Sequence, residues 1–312
     1  MRILVTGANG FVGRALCGHL GTLGHVVVSA VRCASGLADE AVVGDIDGAT
    51  DWAATLAACD VVVHLAARVH VMDDTAHDPL ALYRAINTAA TLNLARQAAQ
   101  AGIKRFVYIS SIKVNGEGRD EPYRETDVPA PGDAYAISKW EAEQGLQRIA
   151  RETGLEVVIL RPPLVYGPGV KANFRQLLRT VERGWPLPLG AIRNRRSLLY
   201  LGNFVDAIRV CVEHPAAAGQ TFLLDDGQAV STPELIRAVA SAMHRPARLL
   251  SVPAGLLRLA GGMTGKGAAV SRLTGSLYVD SRTIRERLGW TPPYSMQDGL
   301  ATTVAAFVQE HL

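Results

Sequence analysis

Along the first half of the chain, short uninterrupted apolar runs alternate with longer alanine-rich stretches. The runs are Ile3–Val5, Val26–Val31, Val61–Val63, Phe106–Ile109 and Val157–Leu160. Strands so short and so apolar are buried on both faces, as in a parallel sheet. The stretches at about 11–22, 51–58, 78–101 and 134–153 read as helices. Strands alternating with helices predict βαβ units in a doubly wound α/β sheet, with the loops at the strand C-termini as the binding edge.

After Pro162-Pro163 the texture changes. Gly167-Pro168-Gly169 and Trp185-Pro186-Leu187-Pro188 precede helices expected near 173–183 and 232–243. Thr221–Leu224 reads as one more strand, and 280–312 ends in a helix or two. The expected organisation is a doubly wound, Rossmann-type unit at 1–165 plus about 198–226. A smaller, partly discontinuous unit for substrate occupies 166–197 plus 227–312.

Composition narrows the class. Of 312 residues, 48% are hydrophobic and 20% charged, which is globular. The 32 basic and 29 acidic residues leave +3 with no Lys/Arg run of five, so nucleic acid or an anionic membrane is a poor first expectation. The apolar stretch 252–270 is broken by Arg258, Lys266 and several glycines and does not read as a membrane span. Cys17, Cys33, Cys59 and Cys211 lie far apart, as small buried thiols in a reducing compartment would. With no signal-peptide pattern at the start, a cytoplasmic enzyme is expected. No histidine or cysteine cluster has ligand spacing, so no metal site is expected.

Three constellations carry chemistry. Thr6-Gly7-Ala8-Asn9-Gly10-Phe11-Val12-Gly13 follows the first strand and opens the first helix. Such glycines allow a tight turn and let the backbone approach a pyrophosphate at the helix N-terminus. The second strand bears on which dinucleotide binds. An NAD site places an acid about 20 residues on, to hold the ribose hydroxyls. Here Val28–Ser35 has no acid and one arginine, Arg32, suited to a 2′-phosphate. NADP(H) is therefore favoured, with NAD(H) as the alternative and a solvated surface arginine as the plain reading. Asp45, in Gly44-Asp45-Ile46-Asp47, reads as an acceptor for the adenine amino group or as a turn aspartate.

The third constellation is Tyr135-Ala136-Ile137-Ser138-Lys139, with Ser110-Ser111 at the end of the fourth strand. Residues four apart share a helix face, so Tyr135 and Lys139 point the same way. An ammonium there is expected to lower the phenol's pKa toward the working range, making Tyr135 an acid/base for a carbinol or carbonyl. Ser111 is placed to hold the same oxygen, and Lys139 to grip the nicotinamide ribose.

With these residues in order, the chain resembles the extended short-chain dehydrogenases/reductases, in their nucleotide-sugar epimerase/dehydratase/reductase branch. The resemblance spans nearly the whole chain. It rests on TGANGFVG (6–13), GDID (44–47), VVHLAA (62–67), SSIKVNG (110–116), YAISK (135–139), LRPPLVYGPG (160–169) and LGW (288–290). It implies that Ser111, Tyr135 and Lys139 are catalytic. Gly7, Gly10, Phe11, Val12 and Gly13 would line the pyrophosphate, Asp45 and Ile46 the adenine, and Leu65, Ala66 and Ala67 the ribose side. Asn173 and Arg196 fall where relatives contact the substrate's diphosphate, and Arg193, Arg195 and Arg196 suit phosphate oxygens. A homodimer pairing through 78–101 and 134–153 is also implied.

Departures from the family pattern narrow the activity. Dehydratases of this branch carry Asp-Glu where this chain has Ile112-Lys113, so elimination lacks its acid. Leu164 stands where relatives often place asparagine, and Val114-Asn115-Gly116 replaces Val-Tyr-Gly. The segments 67–72 and 111–116 resemble a subgroup of bacterial polysaccharide pathways that reduces a UDP-4-keto-6-deoxy sugar to UDP-N-acetylquinovosamine. Arg68, His70, Lys113 and Asn115 would then face the sugar, although His70 reads equally as an ordinary loop histidine. The leading expectation is an NAD(P)H-dependent 4-ketoreductase of a UDP-4-keto-6-deoxy-N-acetylhexosamine. The alternative is a UDP-hexose or UDP-N-acetylhexosamine 4-epimerase with tightly bound NAD. A dinucleotide-sensing protein without catalysis is the third reading, and the intact Ser/Tyr/Lys set argues against it.

Overall fold

A computed structural model describes residues 1–69, 78–265 and 267–310. The first βα unit is β1 (Arg2–Thr6) followed by α1 (Phe11–Thr22), and β2 (Val26–Val31) and the short β3 (Glu40–Val42) come next. Then follow α2 (Ala53–Leu56), β4 (Val61–His64) and α3 (Pro79–Tyr83). The helix expected over 78–101 is not uniform. From α3 it widens into a π-helical stretch, Arg84–Ala90, before returning to α-geometry as α4 (Thr91–Gln100). β5 (Arg105–Ile109), the twenty-residue α5 (Ala134–Thr153) and β6 (Glu156–Arg161) complete the first half.

These strands and a later one, β9 (Thr221–Leu223), form a parallel sheet in the order β3-β2-β1-β4-β5-β6-β9. Register runs Ile3 opposite Val27 on one side of β1 and opposite Val61 on the other. The order reverses between β1 and β4, and the crevice at such a reversal is where this architecture binds ligands. Alternate strand residues enter two cores. Ile3, Val5, Val63, Val107 and Leu160 pack with Leu16, Leu20, Phe204 and Ile208 on one face. Leu4, Val62, Phe106 and Ile159 pack with Trp52, Leu94, Ala142 and Leu146 on the other.

Beyond β6 come β7 (Leu164–Tyr166), α6 (Ala172–Glu182) and β8 (Leu198–Tyr200), with β7 and β8 forming a separate two-stranded parallel sheet. α7 (Leu201–Glu213), which sequence patterning does not reveal, starts directly from β8 and lays Leu201, Phe204, Ile208 and Cys211 on the large sheet. β9 (Thr221–Leu223), α8 (Thr232–Ala242), α9 (Ala254–Met263), α10 (Gly267–Thr274), α11 (Arg282–Leu288) and α12 (Met296–Gln309) follow. α6, α8 and α12 gather a third core around Phe174, Leu178, Ile236, Val239 and Phe307. Ile284, Leu288 and Trp290, expected in the second unit, pack instead with the sheet-side core. Cys33 is exposed, contrary to the expectation of buried thiols. Among the described residues no helix is long and apolar enough to cross a membrane.

Candidate active site

The turn after β1 is built by backbone contact. Gly7 has φ +66°, and a Cβ there would lie 3.0 Å from the Ala66 nitrogen. The Gly10 N–H donates to the Gly7 carbonyl at 2.9 Å, which folds the turn back on itself. A Cβ on Gly13 would sit 2.2 Å from that carbonyl oxygen, so only glycine lets α1 start this close to the turn. α1 has no side-chain cap and no acid in its first turn. Its leading N–H groups and positive dipole end are left for an anion, and this fits a dinucleotide pyrophosphate. Phe11 and Val12 are half-buried beside the turn, and Leu65, Ala66 and Ala67 run past it from the end of β4.

At the exits of β2 and β3, the Arg32 guanidinium lies 3.4 Å from the Asp45 carboxylate, and both side chains are exposed. The pair expected to read separate parts of the dinucleotide thus faces each other. Ile46 packs into the core beside them. Nearby, the Ser35 and Leu37 N–H groups and the Ser35 hydroxyl all donate to the Glu40 carboxylate. These bonds hold its pKa down to about 2.

Ser111, Tyr135 and Lys139 converge at the C-terminal ends of β4 and β5. Asp133 caps α5 by accepting from the Ala136 N–H at 2.8 Å, so Tyr135 sits in the first helical turn. The Lys139 ammonium donates to the Ile109 carbonyl at 2.8 Å and lies 4.7 Å from the Tyr108 ring centroid. Burial pulls its pKa down to about 7, against a smaller upward pull from Glu143. The expected lowering of the Tyr135 pKa is not found. Burial pushes it up to about 12, with Ser111 lowering it and Asp133 and Tyr83 raising it. The reason is distance and desolvation. Lys139 Nζ is 6.0 Å from the Tyr135 ring centroid and already engaged, while burial penalises both charged forms.

Two buried networks hold this site, and their central members, His64, Asn87, Glu143 and Arg161, are not among the expected site residues. In the first, the Ala66 N–H donates to the Thr6 hydroxyl, which donates to His64 Nδ1 at 2.7 Å. His64 Nε2 then donates to the Thr91 hydroxyl, which donates to the Asn87 carbonyl. Burial, with a smaller effect of the Lys139 charge, holds His64 neutral, its pKa down at about 3. The Asn87 amide accepts from the Arg68 N–H and donates to the Arg68 carbonyl and to the Ser138 hydroxyl. Ser138 in turn donates to the Tyr135 carbonyl. Asn87 lies in the π-helical stretch, where widening aims an inward side chain that a regular helix would place elsewhere.

In the second network the buried Arg161 and Glu143 pair at 2.5 Å and 3.0 Å, and the Ser110 hydroxyl donates to the same carboxylate. Arg161 also donates to the Asn115 side-chain oxygen, and the Asn115 amide nitrogen donates to the Arg124 carbonyl. Asn115, expected against the sugar, is therefore buried with its amide consumed. A polar residue left unpaired there would cost more than any contact it offered a ligand. Arg161 carries a sequence signal, since a guanidinium ending the apolar run 157–160 must find a partner when buried, whereas Glu143 lies among polar residues and carries none.

The remaining expected contacts divide. Arg68 is half-buried, its guanidinium 5.4 Å from the Tyr83 ring centroid. Lys113 is held by Asp133 at 2.7 Å and Glu117 at 3.1 Å. Asn173 is exposed in the first turn of α6, after Ala172 at φ +50°. Arg196, expected in a diphosphate clamp, is half-buried, and its Nη1 donates to the Arg272 and Gly275 carbonyls at the end of α10. A helix C-terminus is a natural seat for a guanidinium. Arg193 and Arg195 are exposed, and Arg195 lies over the Tyr278 ring. His70 falls outside the described residues. Among the described residues no cluster suits a metal ion.

Comparison with known proteins agrees with this geometry. The model of the NAD dependent epimerase/dehydratase family matches residues 3–224. A Vibrio cholerae UDP-glucose 4-epimerase is 50% identical over 98% of this chain and 95% of its own length. An Escherichia coli O157:H7 N-acetyl-alpha-D-glucosaminyl-diphospho-ditrans,octacis-undecaprenol 4-epimerase is 27% identical over 97% and 94%. MoeE5 in complex with UDP-glucose and NAD superposes with a TM-score of 0.81 at 26% identity, covering all of both chains.

Proposed function

Within the NAD-dependent epimerase/dehydratase family, to which this chain belongs, we propose that it is a nucleotide-sugar 4-epimerase acting on a UDP-hexose or UDP-N-acetylhexosamine. The observation that carries this reading is the 50% identity to an epimerase along 98% of the chain. The 4-ketoreductase expected from sequence drew much of its support from Arg32 as a phosphate-binding residue. The Asp45 carboxylate 3.4 Å from Arg32 opposes a second anion there. Glu40 already occupies the donors of the Ser35–Leu37 turn. NAD, which an epimerase reduces and reoxidises within one turnover, suits this arrangement better than NADP.

Bound at the glycine turn, the dinucleotide supplies reversible hydride acceptance. As the phenolate, which the positive charge of an oxidised nicotinamide beside it would favour, Tyr135 would take the proton of the sugar C4 hydroxyl while Ser111 holds that oxygen and Lys139 grips the ribose. With C4 a ketone, the sugar turns its other face, and Tyr135 returns the proton as C4 is reduced from the opposite side. Ile112, which is buried, and Lys113, which is ion-paired, offer no acid for dehydration.

Denaturing the purified protein and identifying the released dinucleotide tests the cofactor, with NAD expected. Incubation with UDP-glucose or UDP-N-acetylglucosamine should give the 4-epimers, and Tyr135→Phe should abolish this. Stoichiometric oxidation of added NADPH by a UDP-4-keto-6-deoxy sugar, without interconversion of epimers, would overturn the reading.

A further inference from the structure

The segment 235–279 contains six Lys/Arg and no Asp or Glu. It carries +6, so the chain's overall +3 leaves −3 for everything else. No run of basic residues announces this, because the cations are spread over α8, the following loop and the α9–α10 hairpin. The same segment exposes large apolar side chains. Leu256, Leu259 and Met263 are 58%, 63% and 82% exposed, and their spacing along α9 puts them on one face. The opposite face of α9 is already satisfied. Leu257 packs on the C-terminal core, and Gly261 is buried so close to α10 that a Cβ would lie 2.7 Å from Val270. α9 thus has apolar residues on two faces, with the exposed Arg258 at their margin, and the face of Leu256, Leu259 and Met263 is open among the described residues.

The neighbouring surface has the same character. Leu250 and Leu273 are exposed, as are Arg245, Arg248 and Arg258. The strand-like pairing of Leu187 with Leu249 ties this region to the loop of the exposed Trp185. The hairpin is also firmly mounted. Asn194 and Thr232 donate to the Leu273 carbonyl, and Arg196 to those of Arg272 and Gly275.

We propose that this hairpin docks the enzyme on an anionic lipid bilayer, with Leu256, Leu259 and Met263 entering the interface and the surrounding arginines meeting the headgroups. Protruding leucine and methionine side chains, a nearby tryptophan and an acid-free basic segment, whose far end at Ser276 meets Asp120, are the features of interfacial binding without spanning. A second copy docking through the same face would bring +6 against +6, which disfavours self-association there. The proposal is independent of the epimerase reading, since it concerns a surface outside the Ser111–Tyr135–Lys139 site.

Flotation with vesicles tests it. The protein should bind vesicles of phosphatidylglycerol and phosphatidylcholine, bind pure phosphatidylcholine at least about tenfold more weakly, and detach as salt is raised. Leu256→Asp with Leu259→Asp should lower binding by about tenfold or more, while turnover of a free nucleotide-sugar stays unchanged and reports an intact fold. Arg258→Glu should weaken binding to the anionic vesicles only. Absence of binding to the anionic vesicles, or binding indifferent to the leucine changes, would overturn the proposal. So would a dimer in solution that the leucine changes dissociate.

Discussion

Glu143→Gln provides a stringent test of the packing beneath the active site. Glu143 and Arg161 are buried, and the carboxylate receives two nitrogens of the guanidinium and the Ser110 hydroxyl. An amide in its place presents N–H groups to donors and leaves the Arg161 charge uncompensated. Breaking such a pair costs about 3–5 kcal/mol. With a urea slope of about 2–3 kcal/mol per M for a chain of this size, the unfolding midpoint should fall by about 1–2.5 M. Replacing both partners, Glu143→Met with Arg161→Met, removes both charges and should recover much of that loss. Equilibrium urea unfolding of the three variants beside the wild type gives the coupling directly. A loss below about 1 kcal/mol for Glu143→Gln would refute the argument, because that is what a hydrated surface pair is worth.

Further outcomes follow from the same structure. Tyr135→Phe should leave the urea midpoint nearly unchanged and lower kcat by about a hundred- to ten-thousand-fold, with KM little altered. Lys139 has its pKa pulled down to about 7 in the fold, so from there to its ordinary value near 10.5 the unfolded chain holds the extra proton. Stability should therefore rise across that window, and Lys139→Met should remove this part of the slope in unfolding measured against pH. Gly13→Ala forces a Cβ to 2.2 Å from the Gly7 carbonyl oxygen. The expected cost is about 1–3 kcal/mol, with dinucleotide affinity lost in calorimetric titration, and wild-type affinity would count against the turn as the binding site.

What the sequence disclosed, and what it withheld, has physical causes. Strands buried on both faces write themselves as continuous apolar runs, so β1, β2, β4, β5 and β6 are legible within a residue or two. The glycine turn is legible for a similar reason, because backbone approaches closer than a Cβ permits leave only one residue type. α7 escapes because Leu198-Leu199-Tyr200-Leu201 passes from strand to helix with no turn residue between them, and its valines and isoleucine read as strand. The π-helical widening at Arg84–Ala90 has no compositional mark, and with it went the role of Asn87.

Site residues divide along the same line. Ser111, Tyr135 and Lys139 meet where spacing predicts, since helical periodicity is a local property. The engagement of Asn115 and Arg196 within the protein is not legible, because their partners, Arg161 and the end of α10, are distant in sequence. The Tyr135 pKa is misjudged for a related reason. A short spacing on a helix fixes direction, whereas desolvation depends on everything packed around it.

The most direct measurement of the central claim uses UDP-glucose deuterated at C4, with no dinucleotide added. NMR should show both 4-epimers accumulating with the label still on C4, because the hydride removed from that carbon returns to it. Label washed into solvent, or no second epimer unless NADPH is supplied and consumed, would contradict a 4-epimerase built on Tyr135 and a retained dinucleotide.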